Sequence, residues 1–274
     1  MPHPLRLILL ALVIIIVFLY ICAALLAYLF SDRLIFLPPS PTYTMSDDIT
    51  MIPTADGARI ALLYLPNPDA EYTILYSHGN ANDLGGSRRM LERYRSWGYA
   101  VVGYDYHGYG VSEGTPSEAN AYRDADAACD FIINELGVAP ERIIAVGHSL
   151  GGAVAIDLAS RRAVGALMVE NTFVTAFRVV TRVPIFPFDA FRSIDKITKV
   201  RCPVLIVHGT DDGNIPIRHG ERLFDNANEP KRLVRVEGAG HNDLYEFGEE
   251  RIRRELERFV DRFAAASSTH QSNR

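Results

Sequence analysis

The chain has 274 residues, of which 48% are hydrophobic and 22% are charged, and its formal net charge at pH 7 is −5. An apolar content this high with so small a net charge excludes an intrinsically disordered chain and a basic nucleic-acid-binding protein. Three cysteines are too few for a disulfide framework. The composition therefore indicates a globular domain that is preceded by one long apolar segment.

The first predicted element is an uncharged stretch of 24 residues from Leu7 to Phe30. As an α-helix it would be about 36 Å long, which is enough to cross the ~30 Å hydrocarbon core of a bilayer. A cleavable signal peptide has a shorter apolar region, of roughly 7 to 15 residues, and ends at a small-residue cleavage site. Here the small residues lie only inside the apolar run. We predict that residues 1–33 form a retained single-pass membrane anchor, with a cleaved signal peptide as the alternative.

The charges that flank this span bear on its orientation. Arg6 and the α-amine lie before it, and Arg33 follows it beside an aspartate. The positive-inside rule counts only Lys and Arg, and here the two flanks nearly tie. The count leans towards a cytoplasmic N-terminus and a globular domain on the outer face of the membrane.

Three further regions follow the predicted span. Residues 34–47 contain three prolines and are expected to form a stiff, extended linker. Residues 48–265 have the alternating pattern of a folded domain. The polar residues 266–274 are expected to form a disordered tail.

Within the folded region, short runs rich in β-branched and aromatic residues alternate with longer helical runs. The predicted strands are 49–54, 59–65, 73–77, 100–104, 143–146, 166–170, 204–207 and 233–236, and the predicted helices are 87–97, 117–136, 150–161, 218–225 and 243–265. A hairpin at Asp56-Gly57 followed by β-α-β units indicates an α/β fold, with a doubly wound, mostly parallel, eight-stranded sheet and helices on both faces. Such a sheet places its ligand site at the carboxyl ends of the strands.

The strongest motif is Gly147-His148-Ser149-Leu150-Gly151, which lies between a predicted strand and a predicted helix. A Gly-x-Ser-x-Gly pattern at a sharp strand-to-helix turn holds the serine in a strained conformation above the sheet, and the flanking positions must lack side chains. A glycine-rich helix start with a capping serine would explain Ser149 but not both glycines. We therefore predict that Ser149 is a nucleophile.

A serine hydroxyl needs a base, and that base needs an orienting acid. Asp211 and Asp212 follow one predicted strand and His241 follows the next, so the three types lie at one sheet edge in the order Ser, Asp, His. Asp212 is the predicted acid because it lies further into the turn, whereas Asp211 is expected to form the turn and Glu170 is a third candidate. His241 is the predicted base, and His208 is expected to be structural.

Two backbone N–H groups are expected to form an oxyanion hole. Leu150 N–H follows the nucleophile at a helix start, where free N–H groups and the helix dipole favour negative charge. The second donor is expected in the loop 77–82, from the backbone of Asn80. His78 in the same loop is expected to bond to loop backbone. A plain polar turn is the alternative for this loop.

Five motifs in this order carry a resemblance to a known superfamily. They are His78 to Ala81, Asp105 to Gly114, Gly147 to Gly152, His208 to Asp212 and Gly238 to His241. Together they resemble the α/β-hydrolase superfamily, and most nearly the membrane-associated α/β-hydrolase-domain proteins, which are related to serine aminopeptidase-like hydrolases and include protein depalmitoylases and lysophospholipid lipases. The resemblance covers about residues 34–263. It implies the roles of nucleophile, acid and base for Ser149, Asp212 and His241, and a loop-shaping role for Asp105.

Two features depart from that resemblance. His107 stands where many relatives have arginine in an Asp-x-Arg-Gly-x-Gly loop. This difference bears on the contacts of the loop and not on the catalytic triad of Ser149, Asp212 and His241. Depalmitoylases of this group carry a cysteine-rich, lipidated N-terminus, whereas this chain has an apolar span. Depalmitoylase activity is therefore not part of the prediction.

A segment of about thirty residues, 171–203, lies between two predicted strands at the position where relatives insert a lid. Its length allows one or two short helices and no separate cap domain. The segment is rich in phenylalanine, valine and proline. It either covers an acyl-chain pocket or packs on the sheet as ordinary core.

These features predict a membrane-anchored serine hydrolase that cleaves an ester, a thioester or an amide through an acyl-enzyme on Ser149. The substrate would be a small-molecule or lipid acyl ester. An acyltransferase with the same triad and a catalytically silent scaffold of the same fold are the alternatives. The sequence has no metal-ligand spacing and no nucleotide-binding loop, so no metal, cofactor or nucleic-acid partner is expected.

Overall fold

An eight-stranded sheet organises the computed structural model, which describes residues 3–46, 48–181 and 183–271. The strands are β1 (Ile49–Pro53), β2 (Arg59–Leu65), β3 (Thr73–Ser77), β4 (Ala100–Tyr104), β5 (Ile143–His148), β6 (Ala166–Glu170), β7 (Val204–Gly209) and β8 (Lys231–Val236). Their spatial order is β1-β2-β4-β3-β5-β6-β7-β8; β2 is antiparallel to β1 and β4, and the remaining neighbours are parallel. The predicted doubly wound, mostly parallel sheet is confirmed.

Eight α-helices accompany the sheet in the described part of the chain. They are α1 (His3–Ile35), α2 (Leu84–Ser96), α3 (Glu118–Asn134), α4 (Leu150–Arg161), α5 (Ala176–Thr181), α6 (Ser193–Ile197), α7 (Arg218–Asn226) and α8 (Leu244–Gln271). Successive strand side chains point to opposite faces, so Leu75 belongs to one hydrophobic core and Ile74 and Tyr76 belong to the other. The first core is closed by α3, α4 and α6, and the second by α2 and α8.

Helix α2 begins at Leu84, three residues before the predicted start at Ser87. Residues 85 and 86 are glycines, whose low helix propensity disfavours the observed early start. The side chain of Asp83 caps this end, because it accepts a hydrogen bond of 2.9 Å from Gly86 N–H. The cap therefore outweighs the low propensity of the glycines.

Helix α8 also differs from its predicted bounds, because it continues to Gln271 instead of ending at residue 265. No glycine or proline lies between residue 265 and Gln271 to stop a helix. The predicted tail of residues 266–274 is thus helical as far as Gln271. Its last three residues lie outside the described part of the chain.

Of the helices in the described part of the chain, α1 alone is long and apolar enough to cross a membrane. Its side chains are exposed along most of its length. Directly after it, Phe36 is buried against the rings of Tyr109 and Phe191. The following segment, predicted to be an extended linker, lies on the domain, because Thr42 N–H donates to Asp83 and Tyr43 OH donates to Asp105.

Candidate active site

Ser149 occupies the sharp turn between β5 and α4. Its backbone angles are φ 54° and ψ −117°, a region that is strained for any residue with a side chain. A Cβ on Gly147 would lie 2.1 Å from Gly151 O, and a Cβ on Gly151 would lie 2.0 Å from Ser77 O. The two flanking positions therefore tolerate only glycine. This close packing explains why the turn needs the Gly-x-Ser-x-Gly pattern.

The side chains of Ser149, His241 and Asp212 meet above the carboxyl edge of the sheet. His241 Nε2 lies 3.1 Å from Ser149 Oγ, and His241 Nδ1 lies 2.7 Å from Asp212 Oδ2. A carboxylate only accepts hydrogen bonds, so Nδ1–H donates to Asp212 and Nε2 is free to accept from the serine hydroxyl. Loops after β5, β7 and β8 supply the three residues. This is the arrangement in which a histidine can remove the serine proton.

The Asp212 carboxylate is buried and is held by several donors. Its Oδ1 accepts hydrogen bonds from the backbone N–H groups of Ile215 (2.7 Å) and Asn214 (2.9 Å). Burial alone would raise the pKa of Asp212, but the hydrogen bonds from His241 and Ile215 outweigh it and leave this pKa below its ordinary value. The group is therefore an anion at neutral pH.

The two rival acids do not contact the histidine. Asp211 is exposed, and its Oδ1 accepts a hydrogen bond from the Thr210 hydroxyl at 3.1 Å. Glu170 is fully buried, and its Oε1 accepts from the hydroxyls of Tyr94 (2.9 Å) and Tyr245. The geometry therefore brings Asp212 and neither competitor to His241.

The loop that carries His241 is held by two residues that sequence reasoning missed. The Asn171 amide donates to Gly240 O (3.0 Å) and His241 O (2.8 Å), and its Oδ1 accepts from Gly209 N–H (2.9 Å). His148 Nε2–H donates to the same His241 O at 2.9 Å. Desolvation lowers the pKa of His148 to about 4, so this ring is neutral. An asparagine directly after a strand at the ligand edge was the available signal.

The predicted oxyanion donors belong to two segments that pass close to Ser149. Leu150 is the first residue of α4, and the loop of Asn80 passes so near that a Cβ on Gly79 would be 3.7 Å from Ser149 Cβ. The Asn80 side chain is fixed, because Oδ1 accepts from Leu37 N–H (3.0 Å) and Tyr109 OH (2.7 Å) and Nδ2 donates to Ile35 O. The role of these two backbones stays a prediction.

Three other histidines have structural contacts. The buried His78 has Nδ1 2.8 Å from Gly79 O, in the loop backbone as predicted. His208 Nε2–H donates to Ile215 O at 2.7 Å. His107 bonds to Asp124 through Nδ1, and this bond raises the pKa of His107. Among the residues that the structure describes, no group of three or more His, Cys, Asp or Glu side chains is arranged to hold a metal ion.

A cleft of about 590 Å³ opens beside the serine and the histidine. Its lining includes Ser149, His241, Asn80, Asn82, Arg89, Met90, Arg93, Asn242 and Glu246. Most of these residues come from the loop after β3, from α2 and from the region where α8 begins, and polar and apolar groups share the walls about equally, the latter including Tyr76, Leu244 and Tyr245. The apolar residues of the predicted lid lie elsewhere: Phe173 and Phe191 are in the core, and Phe186 and Phe188 pack on α1. The lid thus does not line this cleft.

The buried carboxyl group of Glu170 leads to a prediction about stability. Burial raises the pKa of Glu170 from 4.5 to about 7. The folded protein therefore binds this proton more tightly than the unfolded chain does. The protonated Glu170 side chain makes its full contribution to the free energy of unfolding below about pH 4.5, and this contribution is lost as the pH rises through about 7. Glu170→Gln is expected to remove this loss, which amounts to up to about 3 kcal/mol.

The measurement is chemical unfolding of the full chain in detergent at about pH 5 and about pH 8. Glu92→Gln, an exposed position on α2, is the matched control and should keep the wild-type difference between the two pH values. A Glu170→Gln variant with the same difference as wild type would contradict the prediction.

Ser149 lies in a strained turn after β5 and is followed along the chain first by Asp212 and then by His241. This order defines the class as the α/β-hydrolase type of serine hydrolase. Residues 68–174 match the family described as Serine aminopeptidase, S33. The chain is 38% identical over 258 residues to alpha/beta hydrolase domain-containing protein 17B of Xenopus tropicalis, covering 80% of this chain and 87% of that protein. It therefore belongs to the family of these α/β-hydrolase domain-containing proteins.

Further comparisons agree with this assignment. The chain is 35% identical to alpha/beta hydrolase domain-containing protein aho-3 of Caenorhabditis elegans, over 78% of this chain and 73% of that protein. The Pyrococcus furiosus esterase Pf2001 superposes with a TM-score of 0.70 at 16% identity, covering 82% of this chain and 99% of the esterase. The esterase domain of a Rhodothermus marinus protein gives a TM-score of 0.61 at 23% identity, covering 79% and 100%. The structural similarities show the shared fold.

Proposed function

We propose that the protein is a single-pass membrane-anchored hydrolase that cleaves an acyl ester or thioester through an acyl-enzyme on Ser149. The observation that supports it best is the continuous hydrogen-bonded series from Asp212 through His241 to Ser149. In this proposal residues 1–33 are the anchor and residues 48–265 the catalytic domain. The α-amine and Arg6 before the span, against Arg33 after it, favour a cytoplasmic N-terminus, so we place the domain on the outer face.

The first half of the reaction forms the acyl-enzyme. Ser149 Oγ attacks the carbonyl carbon of the substrate while His241 Nε2 takes the hydroxyl proton. The Asp212 carboxylate stabilises the resulting imidazolium. The N–H groups of Leu150 and Asn80 stabilise the oxyanion of the tetrahedral intermediate. When the intermediate collapses, the bond to the leaving alcohol or thiol breaks, and His241 returns its proton to that group.

The second half releases the acyl group. A water molecule gives a proton to His241 Nε2 and attacks the acyl carbon of the ester on Ser149. The second tetrahedral intermediate uses the same oxyanion donors. Its collapse regenerates Ser149 Oγ–H with the proton from His241 and leaves a carboxylic acid. Asn171 and His148 support both halves, because each donates to His241 O and thereby fixes the backbone of the base.

The cleft beside Ser149 bears on the preferred acyl group. Its walls carry Arg89, Arg93 and several asparagine side chains, and apolar groups form only about half of the wall surface, so a long acyl chain would meet polar as well as apolar groups. Full burial of each added CH₂ would contribute about 0.8 kcal/mol, which is roughly a fourfold rise in kcat/KM. We expect the rise per CH₂ to be well below this for monomeric esters in solution.

A series of p-nitrophenyl esters and matched thioesters of increasing chain length tests the proposal. The expected result is hydrolysis of the shorter members, with kcat/KM that levels off as the chain grows. A steady fourfold rise per CH₂ would show that the whole acyl chain is buried, which would contradict binding in this mixed cleft and favour an apolar acyl pocket under the lid. Folded protein that turns over no member would contradict hydrolysis and favour a silent scaffold. Transfer to an added alcohol in preference to water would favour an acyltransferase.

A further inference from the structure

We infer that the tip of the lid, residues 183–188, is inserted into the same bilayer as α1 and that its partner is lipid hydrocarbon. The inference rests on the proposed membrane span. The lid tip lies between α5 and α6. It is an element separate from the catalytic groups, and its aromatic rings pack on α1 and on Phe177 of α5.

The lid tip runs along α1 for about two helical turns. Tyr20 OH donates a hydrogen bond of 3.0 Å to Ile185 O, and the Tyr20 ring lies 6.2 Å from the ring of Phe186. Further along, the rings of Tyr28 and Phe188 pack edge to face at 5.5 Å. Tyr20 and Tyr28 are eight residues apart, which corresponds to about 12 Å along a helix. The lid tip is therefore docked on α1 at two separate levels.

The position of these contacts on the span places the lid tip at membrane depth. The apolar run ends at Phe30, which is ten residues or about 15 Å beyond Tyr20. If only the first twenty residues of the run, up to Leu26, cross the ~30 Å hydrocarbon core, Tyr20 still lies about 9 Å inside its boundary. In either placement, a segment bonded to Tyr20 enters the hydrocarbon.

The exposed surface of this region is suited to lipid. Val183 is 59% exposed and Ile185 is 49% exposed, and Val180 at the end of α5 is 83% exposed. Residues 183–188 contain no charged or polar side chain. The lid tip and the exposed apolar helix α1 together form one continuous apolar surface. Exposing this surface to water is unfavourable.

Part of the lid-tip backbone is paired within the protein, which reduces the cost of placing it in hydrocarbon, where unpaired N–H and C=O groups are costly. Pro184 and Pro187 have no N–H to satisfy. Val183 N–H donates to Thr181 O at 2.7 Å, and Thr181 Oγ1 donates to Val183 O at 2.7 Å. Ile185 O is paired with the hydroxyl on α1. The first charged residue after the tip, Asp189, accepts hydrogen bonds from protein donors.

Insertion of the lid tip would hold the carboxyl edge of the sheet at the membrane surface. The same edge is already tied to the end of α1, because the Asn80 side chain bonds to Ile35 O and Leu37 N–H. The cleft beside Ser149 would then open at the level of the lipid headgroups. An ester bond in a membrane-resident substrate could reach the serine while its acyl chain remained in the bilayer.

Tryptophan fluorescence with depth-resolved quenching tests this inference. The chain has one tryptophan, Trp97, which follows α2 at the opposite, amino-terminal edge of the sheet. In a Trp97→Phe background, Phe186→Trp reports on the lid tip and Phe18→Trp reports on the span. Each full-length variant is reconstituted in dioleoylphosphatidylcholine vesicles that contain phosphatidylcholine brominated at defined acyl positions.

We expect blue-shifted emission and several-fold stronger bromine quenching for Phe186→Trp than for native Trp97. If bromine quenches Phe18→Trp but not Phe186→Trp, the inferred insertion of the lid tip is overturned, whereas the proposed membrane span of α1 still stands. Emission from Phe186→Trp that is blue-shifted but not quenched would also overturn the inference. It would indicate that the lid tip is covered by a protein partner, such as a second copy of the chain. Absence of quenching at both positions would overturn the span and the insertion together.

A separate readout keeps the hydrolase proposal distinguishable from the insertion of the lid tip. Each variant is also labelled with a fluorophosphonate probe, which reacts with an activated serine. Phe186 and Phe18 are outside the cleft beside Ser149, so labelling should match wild type. Loss of labelling in the wild-type protein would contradict the proposed function, whereas the quenching pattern would still decide where the lid tip lies.

Discussion

Replacing Ser149 with alanine is expected to lower kcat/KM for any ester that the protein hydrolyses by at least about 10³-fold. The reason is that, in the proposed mechanism, the hydroxyl oxygen that lies 3.1 Å from His241 Nε2 is the atom that forms the acyl-enzyme. Without it, water would have to attack the substrate directly, and the histidine would have no nucleophile to activate. Steady-state hydrolysis of a short p-nitrophenyl ester by both proteins measures the effect.

A matched control separates this loss from a general effect of serine removal. Ser160 lies in the same helix that follows the nucleophile, and its hydroxyl donates to Asp157 O. Ser160→Ala should keep wild-type kcat/KM. Retention of substantial activity by Ser149→Ala, with both variants folded, would contradict the assignment of the nucleophile.

Asp212→Asn is expected to lower kcat/KM by about 10²- to 10⁴-fold, and Asp211→Asn should change it little. The Asp212 carboxylate bonds to His241 Nδ1–H at 2.7 Å, and a neutral amide in its place neither stabilises an imidazolium nor favours the reactive tautomer. Asp211 is exposed and bonds to Thr210. The two substitutions make the same chemical change at adjacent positions, so their difference isolates the contact with His241.

The comparison is made as kcat/KM for one ester across the pH range in which wild type is folded. Equal losses in the two variants would contradict the role of Asp212. A larger loss in Asp211→Asn would transfer the role of acid to the exposed residue. In both cases the hydrogen bonds that Asp212 accepts from Ile215 and Asn214 would have to be purely structural.

Much of the sheet could be predicted because its strands have strong local signals. The observed bounds of β2, β3, β4 and β6 coincide with the predicted ones. These strands are short, apolar and bounded by turn residues, so hydrophobic periodicity identifies them without tertiary information. The order of Ser149, Asp212 and His241 was also readable, because all three follow strands whose carboxyl ends share one edge.

The supports of the candidate site could not be predicted in the same way. Asn171 joins two other segments that are distant in sequence, the end of β7 through Gly209 and the loop after β8 through Gly240 and His241. Asn80 is fixed by the end of α1 and by Tyr109. Such contacts depend on register and loop path, and neither leaves a periodic pattern in the sequence.

The lid shows the same limit. Its apolar residues allowed both an acyl pocket and ordinary core, because composition alone does not say which surface a side chain meets. The structure divides them: Phe191 is fully buried in the core, whereas Phe188 packs on Tyr28 of α1. A contact between two apolar segments more than 150 residues apart has no local signature.

The central claim is that Ser149 is the nucleophile activated by His241, and mass spectrometry after fluorophosphonate labelling tests it most directly. The account predicts a single phosphonyl adduct on the proteolytic peptide that contains Ser149. The adduct should be absent in Ser149→Ala and should form more slowly in Asp212→Asn. An adduct on a different residue, or unmodified Ser149 in protein that the probe has inactivated, would contradict the account.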